Sequence, residues 1–368
     1  MTGPANEHVQ LLLDSLRIYS PTTKESSFAS FLADRMERMG YSKVLIDRTG
    51  NVIGQVGRGR PRLLLCGHMD TVPGDLPVRK TRDAIFGRGA ADAKSPLCAL
   101  LVAGALAGDS GISVTFAGVT EEEGEGAGIQ ALTASPTPFD YAVFGEPGGA
   151  NRITVAYRGR VALHVTVKTE GGHAGSPWAY RSSFDEFTLM LSRLKEYERS
   201  KEVQGDRFKS LSIVPTIVKA GSYENVVPNI CEATLDLRLP PSLRSSETIA
   251  EVRSVAERSE EGLRIKIVPG EPTEAYEVDS ASTLLRAFQR AIILRLRTRP
   301  GLVRKTSTGD MNSFAHRRHI ECITYGPGVS STSHTDGEVV QIADYLNSIE
   351  VLKEAFRQLA SLSSRKSN

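Results

Sequence analysis

The sequence predicts an α/β fold in which a mixed, mostly parallel sheet flanked by helices is interrupted by an inserted ferredoxin-like α+β unit. Three observations predict it. Short, continuously apolar runs at 63–66 and 141–144 alternate with helical stripes. After Arg158 the runs change to strict alternation, as in Val161, Leu163, Val165 and Val167. The order strand-helix-strand-strand-helix-strand that follows is the ferredoxin-like unit.

The elements follow in order. Val9, Leu12, Leu13 and Leu16 make a helical stripe that ends before Pro21. Phe28, Phe31, Leu32, Arg35 and Met39 make another, stopped by Gly40. Strand-like runs follow at 43–46, 51–56 and 63–66, then a Leu-rich helix of small residues at 95–107 and short strands at 113–118 and 141–144. In the insertion, Ala162, His164, Thr166 and Lys168 form the polar side of a half-buried strand. A helix is expected over 183–197, strands near 211–218 and 230–239, a helix over 246–260 and a strand at 264–268. Pro269-Gly270-Glu271-Pro272 reads as a linker. A helix over 281–296 and a strand over 322–325 then rejoin the first layer. The last helix carries Ile342, Leu346, Ile349, Leu352, Phe356 and Leu359 at spacings of three and four, and 361–368 is expected to fray. The expected domains are 1–157 with 271–368, and an insertion at 158–270.

Composition narrows the function. With 368 residues the chain can build two domains, and 40% hydrophobic with 24% charged residues is ordinary for a soluble protein. A net charge of +2 is too small to imply nucleic acid or membrane partners. No apolar run approaches the ~20 residues that span a bilayer, and residues 1–7 lack the features of a signal peptide. Cys66, Cys98, Cys231 and Cys322 are far apart, with no Cys-x-x-Cys pair. They read as reduced thiols of a cytosolic protein, not as a disulfide framework or a thiolate zinc site.

Five segments carry candidate chemistry: His68 with Asp70; Asp92; the triple Glu121-Glu122-Glu123 before Gly124; Glu146 before Pro147; and His334. All five are read as standing just beyond strand-like runs, where open α/β sheets gather their sites, so the first, third and fourth can converge on one crevice. Two histidines and several carboxylates without a thiolate suit zinc, cobalt or manganese in a catalytic site with open positions. A bridging carboxylate would make a two-metal centre, and adjacent glutamates let one ligate while its neighbour accepts a proton. Taken singly, His68 reads more readily as a polar residue at a sheet edge and 121–123 as a solvated acidic turn, while Glu146 could be a loop residue and Asp92 a helix N-cap. Together, the five point to one place.

The segments His68-Met69-Asp70-Thr71-Val72-Pro73 and Glu121-Glu122-Glu123-Gly124 resemble those of the di-metal amidohydrolases. That family includes glutamate-releasing carboxypeptidase, aminoacylase, acetylornithine deacetylase and succinyl-diaminopimelate desuccinylase. The resemblance covers nearly the whole chain. It implies that His68 and Glu146 hold one divalent ion and Glu123 and His334 the other, with Asp92 bridging and zinc or cobalt as the metal. It implies Glu122 as general base and Asp70 as the orienter of His68. The family has Asp before the two glutamates, where this chain has Glu121. The inserted domain serves in that family as lid and dimerisation domain, which implies a homodimer. Gly171-Gly172-His173-Ala174-Gly175-Ser176-Pro177 resembles the segment whose histidine polarises the scissile carbonyl across the dimer; a plainer reading of His173 is a residue of a glycine-rich hairpin. Asn225 and Arg238 resemble substrate-contacting positions, and Arg238 either pairs with a substrate carboxylate or is simply solvated.

The segment 305–312, Lys-Thr-Ser-Thr-Gly-Asp-Met-Asn, is similar to one found in a single branch of the family. That branch releases lysine or ornithine from a small acidic amino-group carrier protein of the LysW type, in lysine and arginine biosynthesis. The similarity places Thr308 and Gly309 among substrate-binding residues. Independently, Ser280 to Gly309 contains no acidic residue but Arg286, Arg290, Arg295, Arg297, Arg299, Arg304 and Lys305. Such a surface could steer an acidic carrier, or could be a solvated helix face and loop. The alternatives are a deacylase of small N-acyl amino acids such as acetylornithine or succinyl-diaminopimelate, a peptidase of small peptides, and a non-catalytic binding or scaffold protein that keeps the fold.

Overall fold

The computed structural model of the chain describes residues 3–108 and 110–364. Its longer strands are β1 (Ser42–Ile46), β2 (Val52–Gly57), β3 (Arg62–His68), β4 (Ser113–Val119), β5 (Tyr141–Phe144), β6 (Arg152–Tyr157), β7 (Gly159–Thr169), β8 (Ser212–Ala220), β9 (Ile230–Leu239), β10 (Leu263–Pro269) and β11 (Glu321–Thr324). The longer helices are α1 (Pro4–Leu16), α2 (Ser26–Arg38), α3 (Lys94–Ala105), α4 (Ser183–Ser200), α5 (Ser245–Ala256), α6 (Thr283–Leu296), α7 (Asp310–Arg318) and α8 (Ile342–Ser364). The chain divides into two units: residues 1–155, 278–303 and 314–368, and residues 156–277 and 304–313.

The first unit is built on the strand order β1-β2-β4-β3-β5-β11-β6. Its four central strands, β4, β3, β5 and β11, run parallel, and the flanking pairs are antiparallel. A parallel strand covered by layers on both faces must be apolar on both, and Leu63, Leu64, Leu65 and Cys66 are all fully buried. The stripe of α1 buries Val9, Leu12, Leu13 and Leu16 as the sequence predicts, whereas α2 buries Phe28, Leu32 and Met36 at i, i+4 spacing. Met39 lies past the end of α2, because the helix stops one residue earlier.

Arg62 at the start of β3 is tied to Asp140, one residue before β5. Asp140 accepts from the Arg62 backbone N–H at 2.8 Å and from its guanidinium at 2.8 and 3.2 Å. Those bonds, more than burial, hold the Asp140 carboxyl below its ordinary value of 3.8. A carboxyl lowered in the folded state contributes stability that is present above its unfolded value and lost as pH falls through its folded value. Asp140→Asn should therefore cost about 1 kcal/mol in urea unfolding near neutrality, the scale of a well-formed but partly exposed pair. The difference from the parent should shrink below about pH 4.

The second unit has the β-α-β-β-α-β order over β7, α4, β8, β9, α5 and β10, with strand order β8-β9-β7-β10 and every pair antiparallel. One face of the sheet, through Val161, Leu163, Val165, Val167, Leu235 and Leu237, packs with Phe187, Met190, Leu194 and Val252 of the helices. The alternation read from the sequence is the imprint of that one-sided burial.

Several expectations are corrected. The helix expected over 246–260 ends at Ala256, and Ser259–Glu260 turn back to pair with β10. Strand β6 has no counterpart in the sequence reading. The segment 269–272 is no free linker: Gly270 N–H donates to Ala162 O at 2.8 Å, and Arg160 and Thr273 exchange two backbone bonds of 2.8 Å. Residues 304–313 cluster with the second unit, not the first, because Thr308 Oγ1 and Asn312 Nδ2 both donate to Arg158 O, at 2.9 and 3.3 Å. Asn312 sits in the first turn of α7, a helix the sequence reading does not include, and is fully buried. Of the expected frayed tail, 361–364 is helical and 365–368 lies outside the described residues.

Candidate metal centre

Adjacent parallel strands place three of the ligand candidates at one edge. β3 ends on His68, paired in register with Val119 at the end of β4, and Cys66 of β3 pairs with Phe144 at the end of β5. The chain then turns from β4 into Glu121–Glu123 and from β5 into Glu146. Carboxyl ends of neighbouring parallel strands thus gather these groups in the crevice beyond the sheet.

The five candidate ligands form one continuous series of contacts. Glu146 Oε1 lies 3.7 Å from His68 Nε2, and His68 Nε2 lies 3.3 Å from Asp92 Oδ1. The other oxygen of Asp92, Oδ2, lies 3.5 Å from His334 Nε2, which is itself 2.6 Å from Glu123 Oε1. Ligand atoms of His68, Asp92 and Glu123 all lie within 4.8 Å of one another and could hold a metal ion. Asp92 does not cap α3: the N-cap position is Ala93, without a side-chain bond. Its two oxygens instead face different histidines, the arrangement a bridging carboxylate requires.

Asp70 is the hub of the surrounding hydrogen bonds. It is fully buried, and its Oδ1 lies 3.4 Å from His68 Nδ1, while that nitrogen also faces Asp70 O at 2.9 Å. An Nδ1 proton given to these acceptors leaves Nε2 free to ligate. The same carboxylate accepts from the backbone N–H groups of Glu122 and Glu123 at 3.1 and 3.0 Å, and from Thr22 Oγ1 at 2.9 Å. Asp70 therefore positions His68 and the glutamate turn together.

The electrostatics follow from that crowding. Burial alone would push the His68 imidazole down, yet its bonds to Asp70 and Asp92 and the charges of Glu122 and Glu146 hold it well above its ordinary value. Burial would raise Asp92, but His68 outweighs it and holds the carboxyl low. Burial and the neighbouring Asp92 charge raise Glu123 despite His334. The donor set fits a divalent cation. Among the described residues no lysine or arginine pairs with Asp92 or Glu123, and Lys94 nearby turns its amine to Ser15 O at 3.1 Å. Positive charge at this site would come from histidine protons or from bound ions.

Supporting groups escaped the sequence reading. Glu25 accepts from the backbone N–H groups of Glu121 and Thr23, each at 3.1 Å. Arg88 and Glu338 form a buried pair beside Asp92. Their partners are distant in sequence, so no local pattern announces them. His334 adopts a left-handed backbone, φ 63°, a conformation uncommon outside glycine.

The remaining candidates lie in the second unit. His173 is exposed, in a short ladder that pairs Gly172 with Val227 and His173 with Val226. Gly175 N–H donates to His173 Nδ1 at 2.9 Å. Asn225 is exposed, and its backbone O accepts from Ala174 N–H at 2.9 Å. Arg238 donates through Nε to Asp236 at 2.6 Å and through Nη1 to Thr308 Oγ1 at 3.3 Å, so it is neither isolated nor simply solvated. Gly309 lies beside the Tyr157 ring.

The chain matches peptidase family M20/M25/M40 over residues 64–358. A Sulfurisphaera tokodaii protein named [LysW]-lysine/[LysW]-ornithine hydrolase is 33% identical over 350 residues, 93% of this chain and 95% of its own. A Pyrococcus abyssi protein with a provisional form of the same name is 36% identical over 359 residues, 98% of this chain and 96% of its own. Among solved structures, a Bacillus subtilis protein described as a dinuclear metal-binding peptidase of the M20 family superposes with a TM-score of 0.69 at 13% identity, covering 99% of each chain.

Proposed function

Since the chain belongs to peptidase family M20/M25/M40, we propose that it is a metal-dependent amide hydrolase that releases lysine or ornithine from a protein amino-group carrier of the LysW type. The observation that carries the chemistry is the contact series Glu146–His68–Asp92–His334–Glu123. The names of the relatives that match nearly end to end support the substrate.

His68 with Glu146 would hold one divalent ion and His334 with Glu123 the other, Asp92 serving both. Zinc or cobalt suits this nitrogen and oxygen donor set. When bound, the ions would acidify a water and act as Lewis acids on the scissile carbonyl. Glu122, held by its backbone to Asp70, takes the proton of the attacking water and passes it to the leaving amine as the C–N bond breaks. Asp70 keeps His68 oriented throughout.

In the homodimer that the resemblance implies, His173 would supply a donor to the oxyanion developing in the site of the other subunit. Because Nδ1 accepts from Gly175 N–H, Nε2 is the ring nitrogen left to donate. His173→Ala should lower kcat by roughly 10²–10³-fold with little change in KM, as loss of an oxyanion donor does. Steady-state kinetics check it; a change in KM alone would assign His173 to binding.

The basic stretch supports a carrier partner. Arg295 and Arg304 are paired, with Glu354 at 2.9 Å and Glu277 at 2.7 Å, but Arg286, Arg290 and Arg297 are exposed without an acidic partner among the described residues. The open edge strand β8, with Val214, Ile217 and Val218 exposed, supports homodimerisation through the second unit. Four free, buried cysteines support a cytoplasmic setting, and no helix among the described residues is long and apolar enough to cross a membrane.

A side-by-side assay tests the proposal. The zinc-loaded protein should release lysine from its carrier much faster than acetate from N-acetylornithine. Ready turnover of N-acetylornithine with the carrier-linked lysine untouched would overturn the substrate assignment.

A further inference from the structure

The chemistry above leaves unexplained a buried ion pair, Arg88–Glu338, whose side chains are 6% and 0% exposed. Glu338 lies four residues beyond His334, and Arg88 four before Asp92. The two segments are already zipped by the antiparallel pairing of Val339–Gln341 with Ala84–Phe86. Glu338 then clamps the turn that carries Asp92. Its Oε1 accepts from the backbone N–H groups of Ala91 at 3.0 Å and Asp92 at 2.9 Å, and its Oε2 from Arg88 Nη1 at 2.9 Å. Arg88 completes the clamp from the other side. Nη1 also reaches Thr335 O, next to His334, at 3.2 Å, and Nε reaches Gly74 O at 2.9 Å.

Three of these bonds fix a backbone group of, or next to, one of two ligand candidates: the N–H groups of Ala91 and Asp92, and the carbonyl of Thr335. With the Asp92 N–H and the Thr335 carbonyl both held, Asp92 Oδ2 is kept 3.5 Å from His334 Nε2 while Oδ1 stays on His68. His334 has the greater need of such support: it is exposed, on a left-handed turn, and its side chain is 46% accessible against 1% for His68. Among the described residues Glu338 makes no hydrogen bond or ion pair to a ligand side chain, so it acts through the backbone it holds.

We propose that Arg88 and Glu338 are a positioning pair that sets the spacing of Asp92 from His334, and so tunes affinity for the ion held by Asp92, His334 and Glu123 more strongly than for the ion that Asp92 also serves on His68 and Glu146. This rests on the two-metal reading of the site.

The test is calorimetric titration of zinc into metal-free full-length protein, resolving the two binding steps. Glu338→Gln keeps the shape and one acceptor oxygen but loses the charge that Arg88 requires. It should weaken one step by roughly 10–100-fold, the usual effect of an outer-shell partner. The weakened step should be the one abolished by His334→Ala. Arg88→Lys, which keeps the charge but cannot span Glu338, Thr335 and Gly74 together, should weaken the same step and serves if Glu338→Gln does not fold. Asp140→Asn, a substitution in an ion pair away from the cluster, should leave both steps unchanged. Equal weakening of both steps, or of neither, would overturn the proposal. A parent protein that binds fewer than two ions would overturn the two-metal reading itself.

Discussion

Glu122→Gln should lower kcat on the carrier-linked substrate by roughly 10²–10⁴-fold, the contribution of a positioned general base, while zinc content stays at that of the parent. The amide is isosteric, and the Glu122 backbone N–H remains on Asp70 Oδ1, so the turn has no reason to move. What is lost is the capacity to take a proton, together with the negative charge facing His68. The neighbouring positions serve as controls. Glu123→Gln should lose metal, because its carboxylate meets His334 at 2.6 Å. Glu121→Gln should be close to neutral, since that residue is held through its backbone N–H by Glu25. Full activity in Glu122→Gln with loss in Glu121→Gln would shift the base by one residue. That is the ambiguity left by a triple glutamate where the family has Asp before two.

Asp92→Asn should have the second large effect. An amide nitrogen is no metal ligand, so one side of the bridge disappears whichever way the side chain turns. Zinc content should fall from two ions to one, and turnover should fall by more than the roughly 100-fold upper range for losing an outer-shell partner. Elemental analysis with steady-state kinetics reads both. The backbone should be unaffected, because Asp92 N–H stays on Glu338. A variant that retains two ions would show that the carboxylate does not bridge.

The elements most legible in the sequence are those whose burial is periodic. β9 is found at the limits expected, 230–239, because one face is core and the other solvent, so every second residue reports its side. The central parallel strands β3 and β5 are legible for the opposite reason, carrying unbroken apolar runs buried on both faces. β6 was missed because Arg152 to Tyr157 follows neither rule cleanly and runs into Arg158 and the next strand with no turn signal. α7 is illegible because Asp310–Arg318 is mostly polar and lacks a clear apolar stripe. The ligand candidates were legible as residue types at strand ends. Their supports, Thr22, Glu25, Arg88 and Glu338, were not, since a buried carboxylate accepting backbone N–H groups from 246 residues away leaves no mark in its own neighbourhood. The fate of Arg238 illustrates the same limit: alternation placed it on the polar face, but only the fold reveals that Asp236 occupies its Nε.

The most direct measurement is anomalous diffraction from crystals of the zinc-loaded protein. Two peaks about 3.5–4 Å apart are expected, one against His68 and Glu146 and the other against Glu123 and His334, with the carboxylate of Asp92 between them. A single ion, or two ions that do not share Asp92, would contradict the account.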